Sequence, residues 1–171
     1  MPHIKCLLTV EYKMTDQGEI SFILGISITR NHEKWMIHLS QPRYIEAILK
    51  KFGLYDCNPS STPGDISVIL KKDDGNNEEA QKNIPYREAV GSLMYLMLCT
   101  RPDIANPMIK LAQYAANFNN VHWTVVKHVF WYLKGSIDNV LTLGNVEKVN
   151  KRNVTLSGIC DSNCTEDLND R

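Results

Sequence analysis

Four carboxylates crowd the end of the sequence: Asp161, Glu166, Asp167 and Asp170. A two-metal nuclease needs several such oxygens converging from different elements to hold magnesium ions about 3.5 to 4 Å apart. Closeness along the chain is not convergence in space, and residue types alone favour a solvated acidic loop. Only Asp161, directly after the apolar run Leu156 to Ile159, stands where a strand-end metal ligand should. Asp73 and Asp74 fall in a polar stretch and read as solvated.

Other chemistries find less. Histidines 3, 32, 38, 122 and 128 have no metal-ligand spacing, and Cys160 with Cys164 lacks a second pair, so a structural zinc site is not expected. Neither a G-x-S-x-G elbow, a P-loop nor a G-x-G-x-x-G fingerprint occurs. Basic side chains are more suggestive. Arg43, Lys50 and Lys51 lie on one candidate helix and Lys127, His128 and Lys134 on another, with Trp123, Trp131 and Tyr132 near the second group. Cations on helix faces can take backbone phosphates, and the aromatic rings can stack on bases. Amphipathic helices also carry lysines on their polar faces for no such reason.

The elements that would position these residues follow from periodicity. Ile20, Phe22, Leu24, Ile26 and Ile28 alternate, then Trp35, Ile37 and Leu39 after a polar turn, which predicts a β-hairpin. Tyr44, Ile45, Ile48, Leu49 and Phe52 share one helical face, with Ser40 as the expected N-cap and Gly53 as the stop. A polar connection runs from residue 56 to 83. Helical spacing returns in Ala89, Val90, Leu93, Met94 and Met97, and breaks at Thr100-Arg101-Pro102-Asp103. Asp103 is the expected cap of a helix carrying Ile104, Met108, Leu111, Ala112 and Ala115. Another fits His122 to Lys134, with Val125, Val126, Val129, Phe130 and Leu133 on its stripe and Gly135 beyond. Val140 to Leu143 and Val154 to Ile159 read as two further short strands.

Nineteen Lys and Arg balance nineteen Asp and Glu among 171 residues, so any basic surface must be local. Hydrophobic residues at 43% fit a globular chain. Five irregularly spaced cysteines suggest a reducing compartment rather than a disulfide framework. No apolar run approaches the roughly 20 residues that span a bilayer, and the first residues lack a secretory pattern. An intracellular setting, cytoplasmic or nuclear, is the expectation.

Several blocks, in a fixed order, carry a family signal. They are MTDQGEISFILGISI (14 to 28), LSQPRYIEAILKKFGLYDCNPSSTP (39 to 63), PYREAVGSLMYLMLCTRPDIA (85 to 105), HWTVVKHVFWYLKGSID (122 to 138) and CDSNCTEDLNDR (160 to 171). Together they resemble the copia-type retrotransposon Pol polyprotein. The resemblance implies an α+β fold in four parts. Residues 1–55 would be the end of a reverse transcriptase, with a primer-grip-like hairpin and a thumb-like helix, and 56–83 a polar linker. Residues 84–138 would be a helical connection region and 139–171 the truncated start of a ribonuclease H-like unit.

In that family the catalytic Tyr-Val-Asp-Asp strand lies upstream of these blocks, and no such stretch occurs here. Asp161 matches the first ribonuclease H carboxylate, and its partner ligands would lie beyond Arg171. Asn163 stands where the family has aspartate, Cys164 where it has tryptophan and Gln17 where it has leucine. The resemblance therefore implies a remnant without catalytic activity on its own. Magnesium would belong to the parent enzyme, not to this chain. The parent's partner would be an RNA/DNA hybrid, alongside the missing polyprotein segments. The alternatives are a weak nucleic-acid-binding module using Arg43, Lys50, Lys51, Lys127 and Lys134, or an interaction and assembly fragment.

Overall fold

The computed structural model describes residues 2–12, 14–15, 17–64, 68, 70–71 and 84–144. Asp161, the 72–83 part of the linker and the strand expected at 154–159 lie outside them. The described residues form five α-helices and a four-stranded antiparallel sheet, a mixed architecture of the α+β kind.

Helical periodicity builds the core. In α2 (Pro42–Lys51) the stripe buries Ile45, Ile48 and Leu49. In α3 (Tyr86–Cys99) it buries Tyr86, Ala89, Val90, Leu93 and Leu96, while Met94 and Met97 pack only at the margin. Helix α4 (Ala105–Gln113) adds Met108 and Leu111, and α5 (Asn120–Gly135) adds His122, Val126, Val129, Phe130 and Leu133. Each fully buried Leu or Phe contributes about 1.5–3 kcal/mol relative to exposure. The aromatic ends are pinned as well. Tyr86 stacks on Phe118 with centroids 4.4 Å apart and donates its hydroxyl to the Leu111 carbonyl at 2.8 Å.

The helix ends depart from expectation at two caps. Gln41, not Ser40, is the N-cap of α2, with Pro42 at the first helical position and no side-chain cap bond. Ser40 is instead the last residue of a strand paired with Ser27, so it cannot also cap. Asp103 is likewise no cap. It sits in a single 3₁₀ turn, Pro102–Ile104, with its carboxylate turned back onto Arg101. The stop at Gly53 agrees with expectation, since its φ of +67° is the left-handed conformation glycine tolerates.

The sheet runs β1 (Phe22–Ile23), β2 (Ile26–Asn31), β3 (Met36–Ser40), β4 (Leu141–Leu143) in spatial order. The alternation from Ile20 to Ile28 suggested one strand, but Leu24 and Gly25, at φ +50° and +77°, make a two-residue turn that pairs Ile23 with Ile26. Two successive hairpins replace the single one. Leu141–Leu143, read from sequence as opening a separate unit, pairs with β3 instead: Ile37 opposite Leu143 and Leu39 opposite Leu141. Leu141 and Leu143 extend the hairpin's own apolar pattern, and His38 Nδ1 meets Thr142 Oγ1 at 2.8 Å. An additional helix, α1 (Pro2–Glu11), was not foreseen, and its described side chains are exposed.

No strand residue belongs to the buried core cluster. The Tyr95 hydroxyl of α3 donates to the Leu24 carbonyl in the β1–β2 turn, and just past the end of β3 Thr100 Oγ1 donates to Oε1 of Gln41, the α2 N-cap, at 2.8 Å.

Candidate nucleic-acid interface

Helices α2 and α5 pack together, and their C-terminal ends bring two of the predicted cations to one ring. After Gly53 ends α2, the chain turns back through Leu54 and Tyr55 and runs along α5 as far as Ser60. The Lys50 ammonium lies 4.8 Å from the Tyr55 ring centroid and the Lys134 ammonium 4.2 Å from it. Each contact is worth about 0.5–1 kcal/mol where solvent reaches it. Neither lysine pairs with a described carboxylate. Lys51, the neighbour of Lys50, does: it meets Glu88 Oε1 at 2.6 Å, so its charge is already compensated.

Nearly two turns back along α5, Ser60 Oγ and His128 Nε2 are 2.9 Å apart, and the Ser60 N–H donates to the Trp131 carbonyl at 3.1 Å. Packing fixes this strap closely. A Cβ on Gly135 would stand 3.0 Å from the Pro59 ring and 3.3 Å from the Ser60 carbonyl oxygen. His128 and Trp131, with ring centroids 5.8 Å apart, continue the face that Lys134 begins. Burial pushes the Cys57 thiol up, although a main-chain hydrogen bond and Lys134 pull the other way, so it stays a poor nucleophile.

The remaining predicted residues are not gathered there. Arg43 is exposed in the first turn of α2 and Lys127 half-buried, each about 10 Å along its helix from Lys50 or Lys134. Asp161 lies outside the described residues. Among the described residues no three His, Cys, Asp or Glu side chains gather to hold a metal ion. No described helix is long and apolar enough to cross a membrane.

A family model described as reverse transcriptase (RNA-dependent DNA polymerase) matches residues 1–65, which include α2 and Tyr55. The retrovirus-related Pol polyprotein from transposon TNT 1-94 of Nicotiana tabacum is 34% identical over 168 residues, covering 96% of this chain and 12% of that protein. Another such polyprotein, from transposon RE2 of Arabidopsis thaliana, is 30% identical over 84% of this chain and 10% of its own length. The chain belongs to the copia-type Pol polyprotein family. It spans only a small part of those two relatives. An uncharacterized mitochondrial protein of Arabidopsis thaliana is 31% identical over 91% of the copia-type chain, which covers 60% of that protein. No solved structure matches.

Two features of the copia-type chain escaped sequence reading. Tyr55 follows the helix stop with nothing in its neighbours to mark it as the meeting point of two lysines. Tyr132, expected as a stacking group, is committed elsewhere. Its hydroxyl donates to Asp103 Oδ2 at 2.8 Å, beside the Arg101 guanidinium 5.4 Å from its ring. Arg101, 2% exposed, also binds Asp103 through Nε and Nη2 and Ser136 through its carbonyl and hydroxyl oxygens. Arginine there joins the end of α3 to the end of α5. That role is architectural, and the Thr100-Arg101-Pro102-Asp103 break was its only trace in the sequence.

Proposed function

We propose that this chain is the thumb-like and connection part of a copia-type reverse transcriptase polyprotein, without polymerase or ribonuclease H activity of its own. The observation that carries the reading is the pairing of family identity along nearly the whole chain with the lack of a Tyr-Val-Asp-Asp stretch in its 171 residues. Polymerisation requires those carboxylates to hold magnesium. Purified chain given primed template, magnesium and deoxynucleotides is expected to leave the primer unextended. Extension above a no-protein control overturns the reading.

A second reading is that the same chain binds nucleic acid weakly. Lys50 and Lys134, from two helices, converge on Tyr55 with no partner among the described carboxylates, which favours it. Binding through phosphates must weaken with salt as counterions are released. Anisotropy of a labelled oligonucleotide at 50 and 200 mM salt tests it, and salt-independent or undetectable binding rejects it. Assembly through exposed apolar Phe22, Ile23 and Leu24 is the third, and a monodisperse monomer in light scattering counts against it.

A further inference from the structure

We propose that Lys50, Tyr55 and Lys134 form one preassembled site for the phosphodiester backbone of a nucleic-acid strand, and that Arg43, Lys51 and Lys127 are not part of it. The inference rests on the nucleic-acid-binding reading above and says which residues perform it. Two ammonium groups at 4.8 and 4.2 Å from the same ring centroid repel each other. Attraction to the ring's π system offsets part of that repulsion and restricts both flexible stems, so part of the ordering cost of binding has been met before a ligand arrives. Phosphates of one strand that reach these two cations gain attraction from both.

The surroundings supply the rest. Lys51, one residue away, is neutralised by Glu88 at 2.6 Å and adds little net charge for a phosphate to meet. Lys50 and Lys134 both stand in the last turns of their helices, where a cation is favoured by the helix dipole. Tyr55 itself is held by the Gly53 turn at one end of the strap and by the Ser60 contacts to His128 and Trp131 at the other. Trp131 and His128 lie three and six residues before Lys134 on α5, beside the Ser60 end of the strap.

The test is fluorescence anisotropy with the 171-residue chain and a labelled single-stranded 20-mer across 50–200 mM salt. The K50Q/K134Q variant should bind about tenfold more weakly at low salt, with a log–log salt slope smaller by about 1.5. K50R/K134R, which keeps both charges, should restore the slope. Y55L, which keeps the lysines but removes the ring, should weaken binding while leaving the slope nearly unchanged. R43Q/K127Q should change affinity less than K50Q/K134Q does. Circular dichroism melts establish that each variant is folded. If K50Q/K134Q binds like the wild type, or R43Q/K127Q carries the larger loss, this site is overturned while binding by the chain stands. Absence of binding by the wild type overturns both.

Discussion

At the scale of single residues, the densest chemistry is structural. Arg101 is buried and answered by Asp103, whose side chain stays 35% exposed. Partial burial alone would raise the Asp103 carboxyl, but hydrogen bonds from Arg101 and Tyr132 and the guanidinium's charge outweigh it, holding it below the usual carboxylate range. Arg101→Ala leaves Asp103 with the Tyr132 hydroxyl alone and the Ser136 carbonyl without its partner, and should cost about 3 kcal/mol in a urea titration. The pH dependence follows from the sign of the shift. A depressed carboxyl contributes stability in full above its unfolded value, about pH 4, and loses it as pH falls through the folded value. The midpoint difference between wild type and Asp103→Asn should thus be wide at pH 7 and narrow below about pH 4; a constant difference would mean the carboxylate's charge plays no part. Leu24 is the opposite case, a 76% exposed leucine at positive φ in a turn that favours Asn-Gly. Leu24→Asn should stabilise the chain by about 1 kcal/mol.

Among elements, legibility tracked the range of the interactions. Stripes such as Ile45-Ile48-Leu49 and Val126-Val129-Phe130-Leu133 are set by neighbours three and four apart, so they were readable and their helices stand where expected. The Leu24-Gly25 turn was hidden because apolar alternation runs through it unbroken and leucine is a poor marker of left-handed backbone. Leu141–Leu143 joined β3 through pairing across most of the chain, which no local pattern announces. For the same reason Arg43, Lys50, Lys51, Lys127 and Lys134 could be picked out as cations, while their division into paired, isolated and converging ones could not. Capping offers a local test. Asn119 Oδ1 accepts from the Val121 and His122 N–H groups, and His122 Nδ1 accepts from the Asn119 N–H, a reciprocal box at the start of α5. Asn119→Ala should cost about 1 kcal/mol in thermal or urea melts. Gly144→Ala should do more local damage, since φ is +89° there and a Cβ would run into the Trp35 carbonyl. Loss of amide protection at Leu141 to Leu143, with α3 unaffected, is the expected signature.

For the whole molecule, the core and the sheet are different kinds of structure. Every fully buried apolar side chain of the core cluster comes from α2, α3, α4, α5 or the turns between them, while the strands carry only half-buried and exposed residues. A sheet of short strands without a buried face has little to sustain it beyond backbone pairing and its connections to a neighbour. Here the neighbour contributes the Tyr95–Leu24 hydrogen bond and the covalent continuity of β3 with α2, whose N-cap Gln41 is held by Thr100. Opening of the sheet should therefore need much less free energy than unfolding the helical body. Native-state hydrogen exchange is expected to place the slowest amides at Leu93, Leu96, Val129 and Phe130, exchanging only with global unfolding, and those of Ile26 to Asn31 well below that limit. Tyr95→Phe should lower protection in β1 and β2 without moving the slowest amides. If strand and helix amides exchanged with one common free energy, the sheet would be part of the same cooperative unit, and the phosphate site on α2 and α5 would share its stability with the hairpin. With two levels instead, the hairpin can yield while Lys50, Tyr55 and Lys134 stay in place, because their helices are anchored by Ile48, Leu49, Phe130 and Leu133 in the common core.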